Sequence, residues 1–533
     1  MKRRVAGIAA ALILQAATAA AAAAPAPDEG PATAVAWIRG DAAAVDAAFA
    51  RARAERLPLF LYWGAVWCPP CNQVKATVFN RQDFIERARH FIPVYVDGDA
   101  PGAQRLGDRF KVSGYPTMIL FSPEGAELTR LPGEVDAARY LEVLSLGMDA
   151  GRPLKAVLAD ALARPARLRP ADWRMLAYYE WDPGEQQLVD GSRLAPTLRR
   201  LAAACPMSET GLRERLALRA LVADAQVRPP AAPAGAARAA ARPGRAAELA
   251  RVDALLRDSR LVRDNFDLVA GYPAEVTGLL SDASSPQRRA LAARWDAALA
   301  RLEVDPTLSR ADRLGALTGR IQLARLEAPL PAPLPASLLD EVRAQVVEAD
   351  RTTSDAYERQ SVISAAGDAL AEAGLDADSD ALLRAELARS HSPYYFMVEL
   401  ASNAAKRGDT AVALDWYEKA YAASRGPATR LQWGTIYVRA LLEKAPADEA
   451  RIEAALATLV GEIEPAPENF HDRNRRSLER IATALAGWNR DHRHDAALQR
   501  IEQRFAGLCA GLPGSAPEAA SCRRTLLGRH VPA

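Results

Sequence analysis

Cysteine is scarce in this sequence, with five in 533 residues. That is too few for a disulfide-dense scaffold, so the fold must rest on apolar cores. Charge of one sign is lacking as well: 68 Lys and Arg face 66 Asp and Glu, a formal net charge of +2. The balance excludes a strongly basic nucleic-acid binder, and a chain half apolar and a quarter charged is neither wholly disordered nor collagen-like. There are only six histidines and a single C-x-x-C, Cys68 to Cys71, so a zinc site of paired C-x-x-C motifs is not expected, nor is any metal or cofactor. After residue 24 no stretch is long and apolar enough to cross a bilayer.

What is present divides the chain. Its length is about three to four times a typical domain of roughly 150 residues, so at least two units are expected. Residues 1–24 open with Lys2, Arg3 and Arg4, run through an apolar stretch from Val5 to Leu14 and end in alanines before Pro25. They read as a secretory signal peptide, the alternative being an uncleaved anchor. The mature chain is then expected in an exported, oxidising compartment such as the bacterial periplasm, with no membrane insertion after signal removal.

The chemistry lies in residues 32–150. Asp41 is a good N-cap, Val45, Phe49 and Ala52 recur at helical spacing, and Pro58 ends the pattern. Leu59 to Trp63 reads as a strand buried on both faces. It leads through Gly64 into Trp67-Cys68-Pro69-Pro70-Cys71 and a helix through Val74 and Val78, so Cys68 stands at a strand-to-helix junction. Unpaired N–H groups and the positive dipole end at a helix start stabilise a thiolate and lower the thiol pKa from its reference near 8.5. Pro69 and Pro70 carry no N–H, which leaves chiefly the Cys71 amide to point at the Cys68 sulfur. Further on come a strand over 91–96, a helix over 103–110, the run Gly114-Tyr115-Pro116-Thr117, strands over 118–121 and 127–131, and a last helix to about Met148.

The W-C-x-x-C after a buried strand, the later G-Y-P-T, and a hairpin followed by a terminal helix together resemble the thioredoxin superfamily. The likeness is to its exported modules that open on an alanine-spaced helix, here Ala48 to Pro58. The resemblance implies an α/β fold with a central mixed sheet flanked by helices. It further implies that Pro116 is cis and faces the Cys68 sulfur, with the Tyr115 backbone able to pair with an extended substrate. Cys68 would attack a client disulfide as nucleophile and Cys71 would resolve the mixed disulfide. Trp63, Trp67 and Tyr115 are expected to frame an apolar patch around an exposed Cys68, with Trp67, Tyr115 and Pro116 binding substrate. Two positions depart from the family. Tyr62 stands where most thioredoxins bury an acid six residues before the first cysteine, and Tyr95 occupies the place of its usual lysine companion. Pro69-Pro70 replaces Gly-Pro, and the expected potential is at or above that of thioredoxin, within the roughly −270 to −120 mV spread of this fold.

Beyond Gly151 strand signals vanish and Ala, Leu, Arg and Glu recur at helical spacing. Residues 151–227 read as helical, 228–246 as an Ala/Pro/Arg-rich linker, and 247–533 as a large all-α region. Near His391 the spacing of Leu400, Ala401, Ala404, Gly408, Ala413, Tyr417 and Ala420 resembles a tetratricopeptide helix–turn–helix. An earlier copy falls on Ala366, Gly367 and Gly374. Residues 427–443 would open a third. Such an array implies a concave protein-binding face, a purely structural scaffold being the other reading. Cys509 and Cys522 flank a Gly/Pro loop and are expected to form a structural disulfide, leaving Cys205 unpaired.

The combined expectation is an exported thiol–disulfide oxidoreductase that reduces client proteins, draws electrons from a membrane disulfide-interchange protein and binds partners through its helical region. An oxidase or isomerase, or a scaffold that uses the redox module only for docking, stay open as alternatives.

Overall fold

The computed structural model describes residues 35–112, 114–133, 136–181, 188–227, 244–463, 467–513 and 517–527. The expected signal peptide lies outside these residues, as does the expected linker except Gly244 to Ala246. Its boundary shifts, because Arg245 already opens helix Arg245–Arg257.

Helix α1 (Ala42–Glu55) starts where Asp41 accepts the Ala44 N–H at 3.1 Å, and it buries Val45, Ala48, Phe49 and Ala52. It feeds β2 (Leu59–Gly64), the centre of a five-stranded sheet of order β1-β3-β2-β4-β5. β3 (Ile92–Asp97) runs parallel to β2, whereas β4 (Thr117–Phe121) and β5 (Glu127–Leu131) add antiparallel. The two-residue β1 (Ile38–Arg39) joins β3 in parallel; it is too short to carry a periodic signal and was not expected from sequence.

Alternation along the strands fills two cores. Leu59, Leu61 and Trp63 meet Ile92, Val94 and Val96 on the face that carries α1 and α4 (Ala103–Phe110). Phe60, Tyr62, Tyr95, Met118 and Leu120 line the other face, beneath α2 (Pro69–Val74) and α5 (Ala137–Asp149). Burial on both faces explains why these strands are continuous apolar runs. A π-helical turn, Lys75–Phe79, and the short α3 (Gln82–Arg87) complete this part of the chain.

All later described elements are helices. Pairs succeed one another: Ala356–Glu372 with Asp376–Glu386, Pro393–Lys406 with Thr410–Ala423, Pro427–Lys444 with Glu449–Glu462, and Asp472–Trp488 with Asp495–Ala510. The first two turns hinge on Gly374 and Gly408, whose φ of +75° and +82° favour glycine. Ala366, Ala401, Ala404, Ala413 and Ala420 are fully buried, and small side chains there let the helices approach closely. Cys509 and Cys522 are joined, with Cα atoms 5.6 Å apart, between helices Asp495–Ala510 and Pro517–Leu526. Cys205 is buried and unbonded.

The apolar core on the α2 face of the sheet does not stop at a domain boundary. It runs from Phe60, Cys71 and Val74 into Leu158, Trp173 and Leu198, and into Tyr394, Trp433 and Ile481. Sheet and helices therefore share one core around the cysteine pair.

Candidate active site

Three residues after β2 ends, Trp67 leads into Cys68, the N-cap of α2, in extended conformation with φ −72° and ψ 115°. Pro69 and Pro70 take the first two helical positions, where a missing N–H costs nothing and a fixed φ suits the helix. The Cys71 N–H points at the Cys68 sulfur at 3.2 Å, in accord with the expectation drawn from the two prolines. Cys68 and Cys71 are joined as a disulfide, Cα atoms 5.2 Å apart. Tyr115–Pro116 is cis. The turn before Cys68 is held at the Val66 carbonyl, which accepts from Asn72 Nδ2 at 2.9 Å and from His391 Nε2 at 3.0 Å. Burial holds the His391 pKa below its ordinary value, consistent with a neutral ring donating through Nε2.

The expected exposed nucleophile is not exposed. Cys68 is 2% accessible and Cys71 is fully buried, because the helical region lies over the Trp67 patch. Trp67 Nε1 donates to Thr429 Oγ1 at 2.8 Å. Its ring packs against Tyr395 at 6.0 Å, nearly parallel, and edge-on against Trp433 at 4.7 Å. Tyr115 closes the other side, edge-on at 5.9 Å, and itself stacks on Trp63. The Arg473 guanidinium sits 4.2 Å above the Tyr115 ring and 5.9 Å from that of Trp67. Gln360 Nε2 donates to the Trp67 carbonyl at 3.4 Å, and Gln73 of α2 donates to Asp312 at 2.6 Å. Gln360, Tyr395, Thr429 and Arg473 all come from the first helix of their respective pairs, so one layer of the array covers the redox face.

Polar groups sealed in this contact are shifted by it. Asp99, two residues past the end of β3, accepts both the Thr429 N–H and its hydroxyl, at 2.8 and 2.5 Å. Burial pushes its carboxyl up to about 6, against the opposing pull of those hydrogen bonds. Gly426, with φ +89°, lets the backbone pass here, since a Cβ would lie 2.3 Å from the Asp99 carboxyl carbon. Burial likewise raises Asp472 to about 6 and the Tyr115 phenol to about 12. His471 is bound by Asp108 at 2.6 Å and by Glu518 at 3.0 Å, and the Asp108 hydrogen bond raises its pKa.

Tyr62 and Tyr95 are register partners on adjacent strands, rings stacked at 5.1 Å, under the cysteine pair. The Tyr95 hydroxyl donates to Asp97 at 3.0 Å. An aromatic pair thus occupies the ground where the family buries an acid and a lysine. Elsewhere burial lifts the Cys205 thiol to about 12, so it is protonated and unreactive. Among the described residues no cluster of His, Cys, Asp and Glu could hold a metal.

Thr429, Tyr395, Trp433, Arg473, His391 and Gln360 were not identifiable from sequence. No local pattern distinguishes a residue that packs on the helical neighbour from one that packs on a domain some 300 residues earlier.

The signature of the family described as thioredoxin-like domain matches residues 45–147. Thiol:disulfide interchange protein DsbD 1 of Pseudomonas aeruginosa is 34% identical over 110 residues, which is 19% of this chain and 18% of that protein. DsbD 2 of the same organism is 33% identical over 103 residues, and a Yersinia pestis DsbD is 30% identical over 97. The chain thus spans about a fifth of the length of these curated relatives. A solved structure titled DsbH Oxidoreductase aligns over 24% of this chain and 96% of its own, at 20% identity and a TM-score of 0.19. Residues 45–147 form a thioredoxin-like domain with a C-x-x-C pair, followed by a large helical region.

Proposed function

We propose that this protein is an exported thiol–disulfide oxidoreductase that reduces client disulfides through the Cys68–Cys71 couple, with its helical region governing which partners reach that couple. The observation that carries the reading is the placement of Cys68 at the start of α2 with the Cys71 N–H on its sulfur. A thiolate formed there is stabilised by that amide and the helix start, and it is the nucleophile.

In the forward reaction the Cys68 thiolate attacks one sulfur of a client disulfide, the other sulfur leaves as a thiolate, and a mixed disulfide forms. Cys71 then loses its proton and attacks Cys68, releasing the second client thiolate and leaving the oxidised pair. Two electrons pass to the client and the two cysteine protons end on the client thiols. Tyr62 and Tyr95 stand where the usual buried acid and its lysine would be, so the Cys71 proton leaves by a route other than that acid.

Reduction is favoured over oxidation on physical grounds. A strong oxidant of this fold owes its potential to a well-stabilised thiolate in the reduced form. Here one amide serves the Cys68 sulfur, and Trp67 and its aromatic neighbours desolvate the surroundings. Recharging in an oxidising compartment requires electrons from outside it, for which a membrane disulfide-interchange protein is the fitting donor. Because Trp67 is covered, protein partners on either side of the cycle gain the couple only when the helical layer lifts. Equilibration of the couple with glutathione buffers tests the direction: a potential near the roughly −270 mV end supports reduction, and one near −120 mV overturns it.

A further inference from the structure

We infer that His391 is a positioning residue for Cys68: the helical region, besides covering the couple, governs how well Cys68 holds a thiolate by gripping the backbone carbonyls that precede it. The inference rests on the proposed redox function and adds a means of regulation to it.

Pro69 and Pro70 offer the Cys68 sulfur no N–H, and the Cys71 amide is the donor it has in α2. With so little donation from the helix, the negative ends of nearby carbonyls weigh more against a thiolate. The two carbonyls immediately before Cys68, those of Val66 and Trp67, belong to a turn closed by the Cys68 N–H on the Ala65 carbonyl at 3.3 Å. Both receive a donor from the helical region. His391 Nε2 lies 3.0 Å from the Val66 oxygen, which also accepts Asn72 Nδ2 at 2.9 Å, and Gln360 Nε2 lies 3.4 Å from the Trp67 oxygen. A donor on a carbonyl fixes its direction and offsets its negative end, so the thiolate beside it is less opposed.

The donors are themselves held on target. Ser390 Oγ donates to Gln360 Oε1 at 2.7 Å, which turns the amide N–H2 toward Trp67, and the same Oγ accepts the Ser392 N–H at 2.9 Å. The His391 ring packs on Tyr357 at 4.7 Å. Tyr357 and Gln360 lie one turn apart on helix Ala356–Glu372, and Ser390 to Ser392 lead into helix Pro393–Lys406. One junction of the helical array thus faces the turn before Cys68.

The other ring nitrogen of His391 argues for this role. Nδ1 is buried with no hydrogen-bond partner among the described residues. Packing on Tyr357 would be served as well by a phenylalanine, without burying an unsatisfied nitrogen. What the histidine adds is the Nε2–H on Val66. When the helical layer lifts, His391 and Gln360 leave with it, so the open couple holds its thiolate less well and passes its electrons on more readily.

The test equilibrates the full-length protein with glutathione buffers and reads the midpoint of the Cys68–Cys71 couple, with Tm alongside. His391→Phe keeps a ring on Tyr357 and removes the donor. It should lower the equilibrium constant for reduction of the couple about threefold to tenfold, a midpoint about 14 to 30 mV more negative. His391→Gln, whose amide N–H can take the place of Nε2–H, should restore the wild-type midpoint. Should His391→Phe not fold, Gln360→Leu removes the donor on the Trp67 carbonyl instead and should shift the midpoint in the same direction. A lower Tm at an unchanged midpoint would make these residues structural only and overturn the inference, as would an equal shift in His391→Phe and His391→Gln. A wild-type couple that does not exchange with glutathione would instead overturn the redox reading beneath it.

Discussion

Trp67 and Thr429, 362 residues apart, share a buried hydrogen bond of 2.8 Å, and the same threonine hydroxyl donates to Asp99 at 2.5 Å. The residue that precedes Cys68 is thereby fastened to the helical region, and the fastening runs through one side chain that both accepts and donates.

Replacing Thr429 by Val keeps the shape and the backbone N–H to Asp99 but removes both hydroxyl bonds, leaving the Trp67 N–H buried without its acceptor and Asp99 with one bond fewer. The expected cost is about 1 to 3 kcal/mol, read as a lower Tm. Since the contact covers the cysteines, insulin reduction should rise in this variant even as stability falls. A variant that loses stability with no gain in protein reduction would show that the helical layer does not limit access.

The same contact is expected to depend on pH. Asp99 has its pKa raised by burial from 3.8 to about 6, so the folded form binds the proton more tightly than the unfolded chain does. Its contribution is fully present below pH 3.8 and is lost as pH rises through 6, by no more than about 3 kcal/mol. Thermal unfolding between pH 4 and 7 should show stability falling with pH, and Asp99→Asn, which keeps an acceptor for Thr429, should flatten the slope. An unchanged slope in that variant would rule Asp99 out as the source.

Exchange through a resolving cysteine predicts asymmetry between the two active-site thiols. Cys71→Ser should accumulate mixed disulfides through Cys68, visible on non-reducing gels, whereas Cys68→Ser should form none and reduce insulin only at background. Capture of partners by a Cys68→Ser protein, with no mixed disulfides in Cys71→Ser, would favour a docking scaffold over an enzyme.

The remaining cysteines should behave as structure. Joining Cys509 to Cys522 closes a loop with a sequence separation of 13, so the double Ser variant is expected to lose about 3 kcal/mol in denaturant unfolding. Cys205, with its thiol pushed up to about 12, should resist alkylation at pH 8 until the chain unfolds. Labelling of the native protein at Cys205 would contradict its burial.

Much of this architecture could be read before any coordinate was known, for an identifiable reason. The strands Leu59–Gly64 and Glu127–Leu131 are short runs with their own terminators, and the helix Ala103–Phe110 and the helices that meet at Gly374 and Gly408 carry their own periodicity. The couple announces itself because Cys68 and Cys71 are three residues apart and their helix start is local. The two-residue β1 and the π-helical turn at Lys75–Phe79 escaped, since neither is long enough to repeat a pattern.

By itself, then, the sequence determined which residues are chemical and which faces are apolar: the cysteine pair, the prolines that silence two amides, the aromatic residues around them. Only the tertiary structure decided what those faces meet. Trp67 is equally apolar whether it greets a client or Trp433, and hydrophobic burial has no direction or sequence range of its own. The partners that cover Cys68, and the helical region's donors on the carbonyls before it, arise when one layer of a helical array closes over a sheet folded hundreds of residues earlier.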